Sequence, residues 1–123
     1  DSSRRSELEN GVALQLAIYA RHVTDENVKA STGYYMLRQR KYLTTDTLSG
    51  NLVRTIEGPS AKETWDKLSA SWKLAMADLE TGKVRATYES SKISQNKFTD
   101  DYLLSPPKCN YCDYAAFCEE RNG

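Results

Sequence analysis

Val12, Leu16, Tyr19 and Val23 recur at intervals of four, three and four residues, and Leu14 and Ile18 widen the face they make. That is the period of an α-helix, so the spacing predicts a largely buried helix over residues 7–23, ended by Thr24-Asp25-Glu26-Asn27. The pattern then changes. Residues 32–43 are rich in tyrosine and long apolar side chains without helical spacing and predict a strand, whose second half turns basic at Arg38, Arg40 and Lys41. Residues 44–58 predict mostly loop, with Leu52-Val53-Arg54-Thr55-Ile56 adding a short strand.

The second long helix has its start and stop written into the chain. Gly58-Pro59 opens it, Ser60 stands as N-cap with Glu63 three residues on, and Gly82 ends it. Between them Trp65, Leu68, Trp72, Ala75 and Leu79 form a stripe at three-four spacing with Met76 beside it, which predicts a buried face. Lys62, Lys67 and Lys73 alternate with Glu63, Asp66 and Asp78 and predict the side that faces water. From residue 83 to 104 the periodicity dissolves, and Tyr88, Ile93, Phe98 and Tyr102 read as single anchors of an extended polar connection.

A chain of 123 residues fits one modest core. Its 17 basic and 17 acidic residues give a formal net charge of zero, so no global field draws it to nucleic acid and only local patches remain. No apolar run approaches the roughly twenty residues that cross a bilayer, and a cytoplasmic protein is expected. Arg38, Arg40, Lys41 and Arg54 are such a local patch. They read first as charges guarding a solvated strand edge, and second as phosphate contacts.

The last nineteen residues change the picture more, because all three cysteines of the chain, Cys109, Cys112 and Cys118, fall there in one C-x2-C-x5-C string behind Pro106-Pro107. Three soft thiolates suit zinc or an iron-sulfur cluster, each of which normally takes four ligands. A disulfide would use two and strand the third, and nothing else in the chain suggests secretion. His22, far away on its own helix, is not counted with them.

Gln15 and Tyr19 lie four apart, on one side of the first helix, inside the otherwise apolar run 12–20. Two readings are open. Either the amide caps a neighbouring backbone group and Tyr19 is a core aromatic, or the pair points into a polar cleft and positions a phosphate, a water or a metal ligand.

The run Leu14-Gln15-Leu16-Ala17-Ile18-Tyr19-Ala20, preceded by residues 4–11 and taken with the terminal cysteine string, resembles the C-terminal part of RecB-type and AddB-type nucleases of the PD-(D/E)XK superfamily. The resemblance implies a restriction-endonuclease-like α/β core, with residues 1–104 as its C-terminal part and residues 105–123 as a cluster-binding tail. In that family a glutamine-tyrosine helix follows the catalytic strands, which gives Gln15 and Tyr19 a supporting role in catalysis. The AddB-like branch holds an iron-sulfur cluster, [4Fe-4S], with three C-terminal cysteines and one far upstream, which assigns Cys109, Cys112 and Cys118 as three of its ligands. Phosphodiester hydrolysis with magnesium or manganese, DNA as substrate and a helicase domain or subunit as partner follow from the same resemblance.

The sequence also departs from the family. Such nucleases place an acid and then an acid-x-Lys on adjacent strands to hold the cation that activates water. No acid-x-Lys triplet occurs here. The expectation is therefore a piece that begins just after the active-site strands and does not cut DNA alone. Its rivals are an inactivated nuclease-fold scaffold that binds DNA or a helicase, and a small zinc-binding module.

Overall fold

A single helix cannot run through Asn10-Gly11 with the geometry found there. Gly11 adopts φ +65°, in the left-handed region that glycine enters without a Cβ penalty. The first helix, α1 (Ser2–Glu9), closes around it: the Gly11 N–H donates to the Leu8 carbonyl at 3.2 Å and the Val12 N–H to the Glu7 carbonyl at 2.9 Å. Those two bonds are a Schellman cap. A new helix, α2 (Leu14–Val23), then starts after Ala13, so the helix expected over residues 7–23 is two helices. The signal was present in the chain, since Asn-Gly is a helix stop, but the apolar period ran across it.

The structure, a computed structural model, describes residues 2–23, 30–84, 96–99, 102–106, 111–113 and 115–117. Its described elements are mixed α and β. After α1 and α2 come β1 (Tyr34–Met36), β2 (Lys41–Thr44), β3 (Val53–Thr55), α3 (Ala61–Glu80), β4 (Lys97–Thr99), β5 (Tyr102–Leu104) and a 3-10 turn, Ala115–Phe117. Two compact units divide them, Asp1–Ala70 and Ser71–Gly123. Among the described residues no helix is long and apolar enough to cross a membrane.

In the first unit β2 is the central strand of a three-stranded sheet in the order β1-β2-β3. The strand expected over residues 32–43 is broken by a turn. β1 and β2 pair antiparallel, Tyr34 with Leu43 and Met36 with Lys41, and the Gln39 and Arg40 N–H groups donate to the Met36 and Leu37 carbonyls at 3.1 and 3.3 Å. Arg40 takes φ 52° to close the turn. The expected short strand is β3, and it runs parallel to β2, with Tyr42 beside Val53 and Thr44 beside Thr55. Parallel neighbours usually need a crossover of a dozen or more residues. Strands of three and four residues need less return path, and a short loop suffices.

The core of this unit is Leu8, Ala13, Leu43 and Ile56, with Leu16, Tyr34 and Met36 packed against it. On the other side of β2, Thr44 is fully buried and polar, and its hydroxyl is satisfied twice. It donates to the Thr32 carbonyl at 2.7 Å and accepts the Asp46 N–H at 3.0 Å, while Asp46 Oδ2 accepts the Thr32 N–H at 3.0 Å. Two glycines allow close approaches nearby. A Cβ on Gly11 would strike the Pro59 ring, and one on Gly58 would strike the Leu8 carbonyl.

The buried face of α2 differs from the expected one. Ala13 just before it, then Ala17 and Ala20, are buried, whereas Tyr19 and Val23 are 56% and 63% exposed. Small residues let the helix lie close to its neighbours, and Ile18, Tyr19 and Val23 take the outer side. α3 repeats the lesson. Its capping box forms as expected: the Ser60 N–H donates to Glu63 Oε2 at 2.7 Å and the Glu63 N–H to Ser60 Oγ at 3.2 Å. Gly82, at φ +75°, ends it through a second Schellman cap, Gly82 N–H to Leu79 carbonyl and Lys83 N–H to Asp78 carbonyl, 2.9 and 2.8 Å. Of the expected water-facing side, Lys62, Glu63, Asp66, Lys67 and Lys73 are exposed and Asp78 is half-buried, with Lys62 Nζ on Asp66 at 2.6 Å. The expected apolar stripe, however, is half-buried at Trp65, Leu68 and Ala75 and lies open at Trp72 and Leu79, 67% and 53% exposed. The buried positions are Thr64 and Ser71.

In the second unit β4 and β5 pair antiparallel, Lys97 with Leu104 and Thr99 with Tyr102. The extended connection expected over residues 83–104 is corrected to that extent. Phe98 and Tyr102 are half-buried anchors within it, while Tyr88 and Ile93 lie outside the described residues. Ser71 explains its own burial: its Oγ accepts the Leu103 N–H at 2.9 Å, a close approach of strand to helix that a short side chain permits.

Candidate functional site

Helical spacing alone sets Gln15 and Tyr19 side by side on α2. Gln15 Nε2 donates to Tyr19 Oη at 3.4 Å, and both side chains are exposed. Among the described residues the amide caps no backbone group, and Tyr19 is an exposed side chain rather than a core aromatic. A small cavity in the first unit, about 10 Å³, is lined by Leu8, Gly11, Ala13, Thr32, Thr64 and their neighbours, and this pair is not part of its lining. What the pair presents is chemistry at a surface. With one amide hydrogen turned to Tyr19, the Tyr19 hydroxyl hydrogen and the Gln15 carbonyl oxygen have no protein partner among the described residues. An O–H donor and an acceptor on neighbouring helical turns suit a phosphate oxygen and a water.

Between α1 and β1 lies a polar cluster that sequence reasoning missed. Tyr34 donates its hydroxyl to Glu7 Oε2 at 2.8 Å, and Arg4 Nη1 donates to both Glu7 oxygens at 2.9 and 2.8 Å while its guanidinium sits 5.0 Å from the centre of the Tyr34 ring. Arg4 and Glu7 are an ordinary i,i+3 pair, readable in the chain. Tyr34 is 27 residues further on, and nothing local points to it. Burial first, then the bond to the Glu7 carboxylate and its charge, push the Tyr34 hydroxyl up to about 12, against the lowering effect of Arg4. The Arg4 guanidinium is raised in turn, chiefly by its bond to Glu7. Tyr42 on β2 is also raised, by burial and then by the charge of Asp46.

Of the three cysteines, Cys112 is exposed with a free thiol, and Cys109 and Cys118 lie outside the described residues. Among the described residues no three His, Cys, Asp or Glu side chains gather as a metal-holding group. Arg38, Arg40 and Lys41 stand at the β1–β2 turn and Arg54 on β3, all exposed. No protein-family model matches the chain, and neither a curated protein nor a solved structure does.

Proposed function

We propose that the chain belongs to a DNA exonuclease of the RecB/AddB type, built on a restriction-endonuclease-like core, and contributes its glutamine-tyrosine helix and its cysteine tail. The observation that carries the reading is the Gln15–Tyr19 pair: hydrogen-bonded to each other, exposed, and holding an O–H donor and a carbonyl acceptor toward solvent. In hydrolysis of a phosphodiester a water oxygen attacks phosphorus and one P–O bond to sugar breaks. Gln15 and Tyr19 would hold a phosphate oxygen or orient that water, while magnesium or manganese, assigned to the complete nuclease, supplies charge stabilisation when bound. Three thiols at C-x2-C-x5-C spacing fit a [4Fe-4S] cluster completed by one ligand from elsewhere, or zinc. DNA and a helicase are the partners that go with this reading.

A second reading, a nuclease-fold scaffold without cleavage chemistry, draws on the exposed apolar side chains of Ile18, Tyr19 and Val23 along α2, a surface suited to holding DNA or a helicase. One experiment separates them. The complete gene product, prepared without oxygen, is assayed for iron, sulfide, zinc and cleavage of linear DNA, alongside Gln15→Ala and single Cys→Ala variants. Iron and sulfide that each of Cys109→Ala, Cys112→Ala and Cys118→Ala abolishes, and cleavage that Gln15→Ala lowers about tenfold or more at unchanged thermal midpoint, are expected. Binding without cleavage makes it a scaffold, and zinc without iron or sulfide removes the cluster.

A further inference from the structure

Charge is unevenly spread in a chain whose total is zero. From Ala30 to Ile56 the cations are Arg38, Arg40, Lys41 and Arg54, and the one acid is Asp46, already turned inward to the Thr32 N–H. None of the four cations has an ion-pair partner among the described residues, whereas Arg4, Arg5 and Lys62 on the helices are paired to acids three or four residues on. Three of the four crowd the tip of the β1–β2 hairpin, and Leu37 stands among them, 80% exposed.

Guarding a strand edge does not account for this arrangement. Arg38 and Arg40 sit in a turn, where there is no ladder to protect, and Lys41 opens β2, the central strand of the sheet. Only Arg54 lies on an outer strand. Nor does a solvated turn need an exposed leucine. Cations around a protruding apolar side chain match a different surface: phosphates every few ångströms with bases beside them, where the cations take the backbone and the leucine packs on a base face. A base is free to be covered when it is unpaired.

We propose that the hairpin tip, Leu37 to Lys41 with Arg54 beside it, binds single-stranded DNA, the cations on phosphates and Leu37 against a base. The inference rests on the reading of the chain as a DNA-processing protein, and it names the residues that hold the strand. Its test is kept apart from cleavage by leaving out divalent cations.

Fluorescence anisotropy of a labelled oligo-dT of about 20 nucleotides is measured with the full chain across a salt series starting at about 50 mM. Arg38→Ala, Arg40→Gly, Lys41→Ala and Arg54→Ala should each weaken binding about three- to tenfold at low salt, and each should lower the slope of log K against log salt by about 0.7. Leu37→Ala should weaken binding with the slope unchanged. Arg40→Gly is the decisive variant, since glycine is at ease at φ 52° and the charge is removed without straining the turn. A Lys67→Ala control on α3 should bind as the wild type does. Equal losses from Lys67→Ala, or an Arg40→Gly protein of undiminished thermal midpoint that binds as tightly as wild type, would overturn the proposal. So would poly-glutamate binding as tightly as oligo-dT with Leu37→Ala without effect, which would give the tip to an acidic polypeptide instead.

Discussion

Replacing Tyr34 by phenylalanine removes one oxygen and, with it, the bond that ties β1 to α1. Hydrogen bonds to a charged group contribute about 1.5–3 kcal/mol. Here Glu7 keeps both bonds from Arg4, and its side chain is 28% exposed, so it is not left bare when Tyr34 is lost. The lower end applies, and Tyr34→Phe should cost about 1–1.5 kcal/mol at pH 7. Coupling in a double-mutant cycle with Glu7→Gln should be about 1 kcal/mol. The pH dependence gives an independent check. A hydroxyl raised from 10 to about 12 in the folded state makes its full contribution below pH 10 and loses it as pH climbs through about 12, because the unfolded chain releases the proton first. Two units would correspond to about 2.7 kcal/mol, and a partly exposed ring warrants less than half of that, about 1 kcal/mol. Urea titrations of both proteins at pH 8 and pH 11 measure it: the wild type's advantage should fall by roughly half at the higher pH, midway between the unfolded and folded values. Equal midpoints at pH 8, or an advantage unchanged at pH 11, would refute the reasoning.

Two glycines with the same conformation should respond differently to alanine. Gly82→Ala meets open space and should cost about 1 kcal/mol for its φ alone, whereas Gly11→Ala also drives a methyl into Pro59 and should cost about 2–3 kcal/mol in the same titration. Ser60→Ala removes half of the capping box and should cost about 1 kcal/mol. Glu63 is held below its ordinary value, first by the Ser60 N–H, so stability should be complete above pH 4.5 and decline as pH falls through the lowered value; Glu63→Gln should flatten that decline.

Where information is local, the chain can be read. Ser60, Glu63 and Gly82 set both ends of α3 because a cap is made by residues three or four apart, and the Gln15–Tyr19 contact is legible for the same reason. The turn at residues 37–40 was not, since it contains neither glycine, proline nor asparagine, and Arg40 takes a left-handed φ that its side chain does not advertise. Burial was misread in both α2 and α3. Apolar period marks a face, but close packing selected Ala17 and Ala20 in one and Thr64 and Ser71 in the other. Tyr34 on Glu7 depends on the whole first unit being folded, and no window of sequence contains it.

The pairing of β2 with β3 has a consequence for how this protein acquires its structure. Every paired residue in that parallel ladder is eleven positions from its partner, as Tyr42 is from Val53, and the hairpin partners are nearer still. Parallel sheets are ordinarily slow to form because distant segments must meet before any contact rewards the lost chain entropy. Here the three strands can assemble from one short stretch, so the sheet can nucleate before α3 has left the ribosome. α1 and α2 then have a surface on which to condense.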